Sequence, residues 1–161
     1  MKIYITNLSQ YNAGRLIGEW IDLPCTKEEL QDAISRIACK DEEYFISDSE
    51  DIPFDVGEYD NPYRLNEKLE QYEALDDHER LCVAFLLSEG YEWQHAMDHH
   101  EDVILYAEES LEDTAYSLVE DGCFGSVGDG LSIYIDYAAV ARDLSLDGYV
   151  QRAEGVFCYA G

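Results

Sequence analysis

Ile3 and Ile5 alternate with polar neighbours, a two-residue period that predicts a strand at the start of the chain. After the turn-like Tyr11-Asn12-Ala13-Gly14, the run Leu16-Ile17-Gly18-Glu19-Trp20-Ile21 predicts a second strand, with Trp20 in its core. The period then changes. Thr26 with Glu29 three residues on is a capping-box signature, and Leu30, Ala33, Ile34, Ile37 and Ala38 share one face at helical spacing. Tyr44-Phe45-Ile46 returns as a strand, so residues 1–61 read as a small sheet with one helix laid on it.

Residues 48–63 are acidic and interrupted by Pro53, Gly57 and Pro62, which predicts a linker. In residues 62–101 the pattern is helical. Leu65, Leu69 and Tyr72 mark one helix, Leu81, Ala84, Phe85 and Leu87 a second closed by Gly90, and residues 93–99 a third. Residues 102–161 return to mixed structure: a strand at 103–106, a helix over 111–121 ended by Gly122, and strands at 133–135 and 156–159 around a helix over 137–144. The expected class is α+β in three small domains: a mixed one over 1–61, a helical cluster over 62–101 and a mixed one over 102–161.

Charge changes the picture. The chain holds 36 acidic and 10 basic residues among 161, a net −26. The excess is spread through the three segments as −9, −7 and −10 rather than gathered in a tail. With 47% hydrophobic residues and 13 tyrosines it is a folding sequence, not a disordered acidic one. Such a field repels nucleic acid and anionic membranes and selects a basic partner. No cation lies between Arg80 and Arg142. Met1-Lys2-Ile3-Tyr4-Ile5 lacks the apolar core of a secretory signal, and the longest apolar run, residues 81–87, is too short to span a bilayer. Cys25, Cys39, Cys82, Cys123 and Cys158 form no C-x-x-C pair and read as reduced core thiols, which points to the cytoplasm.

Duplex DNA carries one charge per ~1.7 Å of axis, so 26 charges correspond to about 44 Å of duplex. A compact chain of this length is about 40 Å across. The two charge densities match, so such a protein is able to fill a DNA-binding channel with carboxylates in place of phosphates.

Catalytic patterns are sparse. In so acidic a chain, pairs such as Glu108 and Glu109 carry no information about general acid and base catalysis. An EF-hand loop begun at Asp48 fails, with Ile52 at position five and Pro53 at position six. His95 and His99 stand one helical turn apart and, with Glu92 or Asp98, are the candidate metal ligands; Ala96 stands where a zinc protease has glutamate. Gly-x-Ser-x-Gly does not occur, and Gly122, Gly125, Gly128 and Gly130 miss the phosphate-binding patterns. No cofactor is expected. Two alternatives stand beside DNA mimicry: an acidic metal-dependent enzyme built on these histidines, and an acidic binder of some other basic DNA-binding protein.

Several motifs then fall in one register. Ile3-Tyr4-Ile5-Thr6-Asn7-Leu8, Tyr11-Asn12-x-Gly14-x-Leu16-x-Gly18-x-Trp20 and Leu23-Pro24 resemble the start of ArdA antirestriction proteins. Asp41-Glu42-Glu43-Tyr44 and the aromatic, acidic stretch from Pro53-Phe54 to Glu58-Tyr59 follow in matching order. Tyr134-Ile135-Asp136-Tyr137, Ala141-Arg142-Asp143-Leu144 and Asp147-Gly148 resemble the family's end. The resemblance implies an elongated, curved, three-domain homodimer, carried by mobile genetic elements, that imitates bent DNA. By that likeness it occupies the DNA-binding groove of type I restriction–modification enzymes and blocks cleavage and methylation without catalysis.

The binding surface so implied takes in Asp41, Glu42, Glu43, Asp48, Glu50, Asp51, Asp55, Glu58, Asp60, Glu67, Glu70, Glu73, Asp76, Asp77 and Glu79, then Glu89, Glu92, Asp98, Glu101, Asp102, Glu108, Glu109, Glu112, Asp113, Glu120 and Asp121. The family's antirestriction motif corresponds to residues 122–136, with Gly122, Phe124, Gly125, Leu131, Tyr134, Ile135 and Asp136 as motif positions and dimer contacts. Gly128-Asp129-Gly130 stands where the family pattern has proline.

Overall fold

The alternation at Ile3 and Ile5 produces strand β1 (Lys2–Asn7), with both isoleucines wholly buried. The computed structural model describes residues 1–38, 43–128 and 130–161, and the expectations for Cys39, Asp41, Glu42 and Asp129 lie outside the described residues. The described residues contain seven α-helices and two three-stranded antiparallel sheets, an α+β fold. The chain divides into two compact units, Met1–Arg80 and Leu81–Gly161, a division that falls inside the segment 62–101. Among the described residues no helix is long and apolar enough to cross a membrane.

In the first unit, β1 lies between β2 (Gly18–Asp22) and β3 (Tyr44–Glu50), so the first strand of the chain is the central one. Gly18 is required there because a Cβ would collide with the Ile5 carbonyl of the neighbouring strand. Helix α1 (Leu8–Asn12) runs into the expected turn, where the Gly14 N–H donates to the Tyr11 carbonyl at 2.9 Å and Gly14 takes φ 78°. Asn7 ends β1 and caps α1: its Oδ1 accepts the Gln10 N–H at 2.9 Å, and its Nδ2 donates to the Ile37 carbonyl at 2.8 Å. Helix α2 (Lys27–Ala38) starts on the expected capping box, with the Thr26 N–H donating to Glu29 Oε2 at 2.9 Å and the Glu29 N–H to Thr26 Oγ1 at 3.2 Å. Its five expected core residues are all buried, and Leu65 and Leu69 of α3 (Pro62–Glu73) join the same cluster.

Two expectations are corrected in this unit. Residues 48–63 are not a loose linker. Strand β3 runs through Asp48 and Glu50, Ile52, Phe54 and Val56 pack on the core, and the Ile46 N–H donates to the Glu58 carbonyl at 2.8 Å. The apolar positions 52, 54 and 56 alternate, but acids and a proline between them hide the period. Trp20 is 38% exposed rather than core. It faces Tyr4 edge-on at 5.3 Å, with Lys2 Nζ 4.7 Å from its ring centre.

In the second unit the last strand is central: β6 (Gly155–Tyr159) lies between β4 (Val103–Ala107) and β5 (Tyr149–Arg152). Val156 and Phe157 point to opposite faces and are both buried, so this sheet is covered on both sides. Phe157 stacks on Phe85 of α4 (Asp77–Ser88), with ring centres 4.6 Å apart, and Tyr159 meets His95 of α5 (Trp93–His99). On the other side, Tyr106 and Tyr149 pack against the cluster formed by Ala115 and Leu118 of α6 (Leu111–Glu120) with Ala141 and Leu144 of α7 (Tyr137–Leu146). The expected strand at 133–135 is a 3₁₀ turn, Ser132–Tyr134, because among the described residues no neighbouring strand offers its backbone a ladder. Strand β5 was hidden by its length of only four residues.

Candidate protein-binding surface

The first unit carries 20 acidic and 8 basic residues, net −12, and the second 16 and 2, net −14. Each unit is therefore an anion by itself. All of the described candidate acids are exposed except Glu79 and Glu109, which are partly covered, and none is buried. A carboxylate in this sequence is cheapest to keep in water, so the helices and strands turn their acids outward.

The acids are not equivalent. Glu50 pairs with Lys2 at 2.8 Å, Asp102 with His99 at 3.0 Å, Asp77 with Arg80 and Glu89 with Arg152. Others cap backbone. Asp60 accepts the Gly57 N–H at 2.9 Å, and Asp136 accepts the Ala139 N–H at 3.0 Å in the first turn of α7. Asp76 and Glu79 cap one another's N–H at 2.8 Å each, and Ser110 and Asp113 form a second reciprocal box at the start of α6. The Ser110 hydroxyl, and after it the Ser110 backbone N–H, holds the Asp113 carboxyl below the ordinary aspartate range. The patterns Asp-x-x-Glu and Ser-x-x-Asp were available in the sequence to identify these caps. One oxygen of Glu109, Oε2, is buried with no hydrogen-bond partner.

The described residues between α6 and α7, 122–128 and 130–136, hold no regular element but the 3₁₀ turn Ser132–Tyr134. This stretch begins where Gly122, at φ 75°, closes α6: the Gly122 N–H donates to Val119 and the Cys123 N–H to Leu118, a left-handed end that favours glycine. Beyond it Phe124, Leu131, Ile133 and Tyr134 are 61%, 64%, 79% and 77% exposed, while Ile135 is partly covered. Tyr134 therefore leaves most of its surface open to solvent. Gly125 continues the chain at positive φ, and its N–H donates to the Gly122 carbonyl at 2.9 Å. Large apolar side chains left exposed in this number are the residue types that interaction surfaces use. Cys123 is exposed here, against the expectation of a core thiol, whereas Cys82 is buried.

His95 and His99 are brought together, with ring centres 4.3 Å apart, but each also has a partner inside the second unit. His95 Nε2 lies 2.9 Å from the Tyr159 hydroxyl and its ring stacks on Tyr91, while His99 Nδ1 faces Asp102. Asp98 accepts from Gln94 Nε2 at 2.9 Å, and Glu92 precedes α5 without capping it. The arrangement is a stacked column tying α5 to β6.

The motifs in register, the outward acids and the exposed apolar side chains between α6 and α7 meet in one comparison: a family model described as antirestriction protein (ArdA) matches residues 3–159. The chain belongs to the ArdA antirestriction family. No curated protein matches it. The match runs from the central strand of the first unit to the central strand of the second, so both units are part of the ArdA domain. ArdA proteins are antirestriction inhibitors rather than enzymes, and this chain acts on restriction–modification systems.

Proposed function

We propose that this ArdA protein inhibits type I restriction–modification enzymes by DNA mimicry, occupying the groove of the methyltransferase core and blocking cleavage and methylation alike. The observation that carries this reading is the outward display of carboxylates on both units, net −12 and −14, with few cations to neutralise them. Carboxylates that stand in for phosphates engage the Lys and Arg that DNA itself uses, so inhibitor and DNA exclude one another and salt weakens both. No cofactor and no bond-making step enters this action, and its setting is the cytoplasm.

The exposed Phe124, Leu131, Ile133 and Tyr134 suit a homodimer contact, which doubles the acidic surface presented to the enzyme. Replacing Ile133 and Tyr134 by serine is expected to halve the mass in solution while leaving the fold intact.

The deciding experiment is a titration of a purified type I methyltransferase with the protein at several salt concentrations, with and without competing duplex DNA. Affinity is expected to fall steeply as salt rises, and added DNA is expected to displace the inhibitor. Inhibition indifferent to both salt and DNA would sink the proposal.

A further inference from the structure

The sheet of the second unit ends on a strand that carries no charge. Of the four edge strands described, β2 holds Glu19 and Asp22, β3 holds Asp48 and Glu50, and β5 holds Arg152, whereas β4 reads Val-Ile-Leu-Tyr-Ala. Charged side chains are the usual guard on a strand edge. Here they stand just outside the strand: Glu101 and Asp102 precede it, Glu108 and Glu109 follow it, and all but Glu109 are exposed. Glu108 keeps its place at φ 61°, a left-handed backbone that glycine adopts more easily.

The ladder of β4 decides which of its main-chain groups are free. The Glu108 N–H donates to the Glu154 carbonyl at 2.9 Å, and these two residues continue the register in which Ala107 faces Gly155 and Val103 faces Tyr159. Bonded pairs alternate in an antiparallel ladder, so Ile104 and Tyr106 bond β6 as Glu108 does, while Val103, Leu105 and Ala107 turn their main-chain groups away from it. The Val103 N–H is taken by the His100 carbonyl. Among the described residues nothing bonds the Val103 carbonyl, the Leu105 N–H and carbonyl, or the Ala107 N–H. Beside them the Ile104 side chain is 53% exposed.

We propose that β4 is a docking edge for an extended segment of a basic protein, apolar over about five residues with Lys or Arg at each end. The segment adds a fourth strand to the sheet, bonds the free main-chain groups of Val103, Leu105 and Ala107, and covers Ile104. A second copy fits badly. Antiparallel pairing of β4 with itself about Leu105 sets Asp102 against Glu108 and Glu101 against Glu109, and parallel pairing sets each acid beside its own copy. The same acids match cations at both ends of a foreign strand. This contact stands whether or not the protein fills a DNA-binding groove, and its main-chain part is not screened by salt.

The test uses the full chain and a capped synthetic peptide, the run Thr-Val-Thr-Val-Thr with two lysines at each end. Amide exchange is followed residue by residue, and affinity by titration. The Leu105 and Ala107 amides are expected to exchange more slowly once peptide is added, with the β2 amides of the first unit unchanged. The same peptide N-methylated along one edge keeps its charge and loses its ladder donors, so it is expected to bind about tenfold more weakly. Ile104→Lys puts a guard charge on the edge at an exposed position, and is expected to weaken binding of the parent peptide by about tenfold as well. The methylated peptide is applied to the parent protein, so the test does not depend on the variant folding. Equal binding of the plain and methylated peptides, or unchanged exchange at Leu105 and Ala107, overturns the proposal, because the attraction is then one of net charge alone. Protection of Leu105 that grows with protein concentration in the absence of peptide also overturns it, because a second copy then occupies the edge.

Discussion

The two units meet the same excess of acid in different ways. The first has eight cations, and it uses Lys2, Arg36 and Arg80 in ion pairs with Glu50, Glu19 and Asp77. Among the described residues it also buries three polar side chains, Thr6, Asn7 and Asn66, as links between strands and helices. The second has two cations, Arg142 and Arg152, and Arg152 is spent on Glu89. It covers both faces of its sheet yet leaves Phe124, Leu131, Ile133 and Tyr134 in solvent. One unit satisfies much of its polarity internally. The other turns both its charge and much of its apolar surface outward.

That contrast breaks most directly in the cores. Phe157 is 2% exposed and stacked on Phe85, and Phe157→Ala is expected to cost about 3–5 kcal/mol. If the units hold themselves together separately, hydrogen exchange speeds up in β6 and its neighbours while the β1 amides stay protected. Simultaneous loss of protection in β1 would show one cooperative body and remove the basis for contrasting two.

The internal polar links of the first unit come next in size. Asn66 Oδ1 accepts the Cys25 N–H at 2.8 Å, and its Nδ2 donates to the Cys25 carbonyl and to Glu70 Oε1, each at 2.9 Å. Asn66→Ala strips the Cys25 backbone of both bonds, with an expected loss of about 1–3 kcal/mol in urea unfolding. A neutral result would mean that water replaces the side chain without penalty, and that the first unit's polar links are incidental.

Those links explain what was legible beforehand. Helix α2 was readable because Thr26, Glu29 and five apolar residues state its start and its face locally. Helix α1 was not, because Asn7 serves as the end of a strand and as a cap at once, and only the backbone angles reveal the second role. The packed strap after β3 was masked by acids and Pro53, and the strand expected at 133–135 failed for want of a partner, a tertiary fact. Net charge was legible because it is composition. Which carboxylates are free and which cap helices depends on geometry, as Asp136 shows.

A smaller effect is expected at alkaline pH, where the second unit hides an ionisable group in its own sheet. Burial first, then the neighbouring Cys158 and Tyr106, pushes the Tyr149 phenol up to about 12. The folded value exceeds the unfolded value of about 10, so the fold favours the neutral phenol. Its contribution is full below pH about 10 and is lost as pH rises from there towards 12. Tyr149→Phe should flatten that part of the stability curve and remove the latest phase of phenolate absorbance. If that late phase persists in the variant, the shift belongs to another tyrosine and the sheet face is wetter than described.

The smallest expected effects separate acids that display charge from acids that hold the fold. Glu112 and Asp113 are adjacent, exposed and both in the first turn of α6, but only Asp113 completes the capping box with Ser110. Glu112→Gln should leave the unfolding temperature unchanged at neutral pH, while Asp113→Asn should lower it. The Asp113 carboxyl is held below its ordinary value, so its contribution is present above the unfolded value of about 4 and is lost as pH falls through the folded one. The stability difference between the variants should therefore shrink in acid. In binding to the methyltransferase the two should be alike, each weakening affinity by less than about fivefold, because an exposed ion pair contributes little by itself. A large, selective loss of binding in Glu112→Gln would concentrate the affinity on one carboxylate. The spread of charge over both units would then be a matter of solubility, and the contrast between them would no longer bear on recognition.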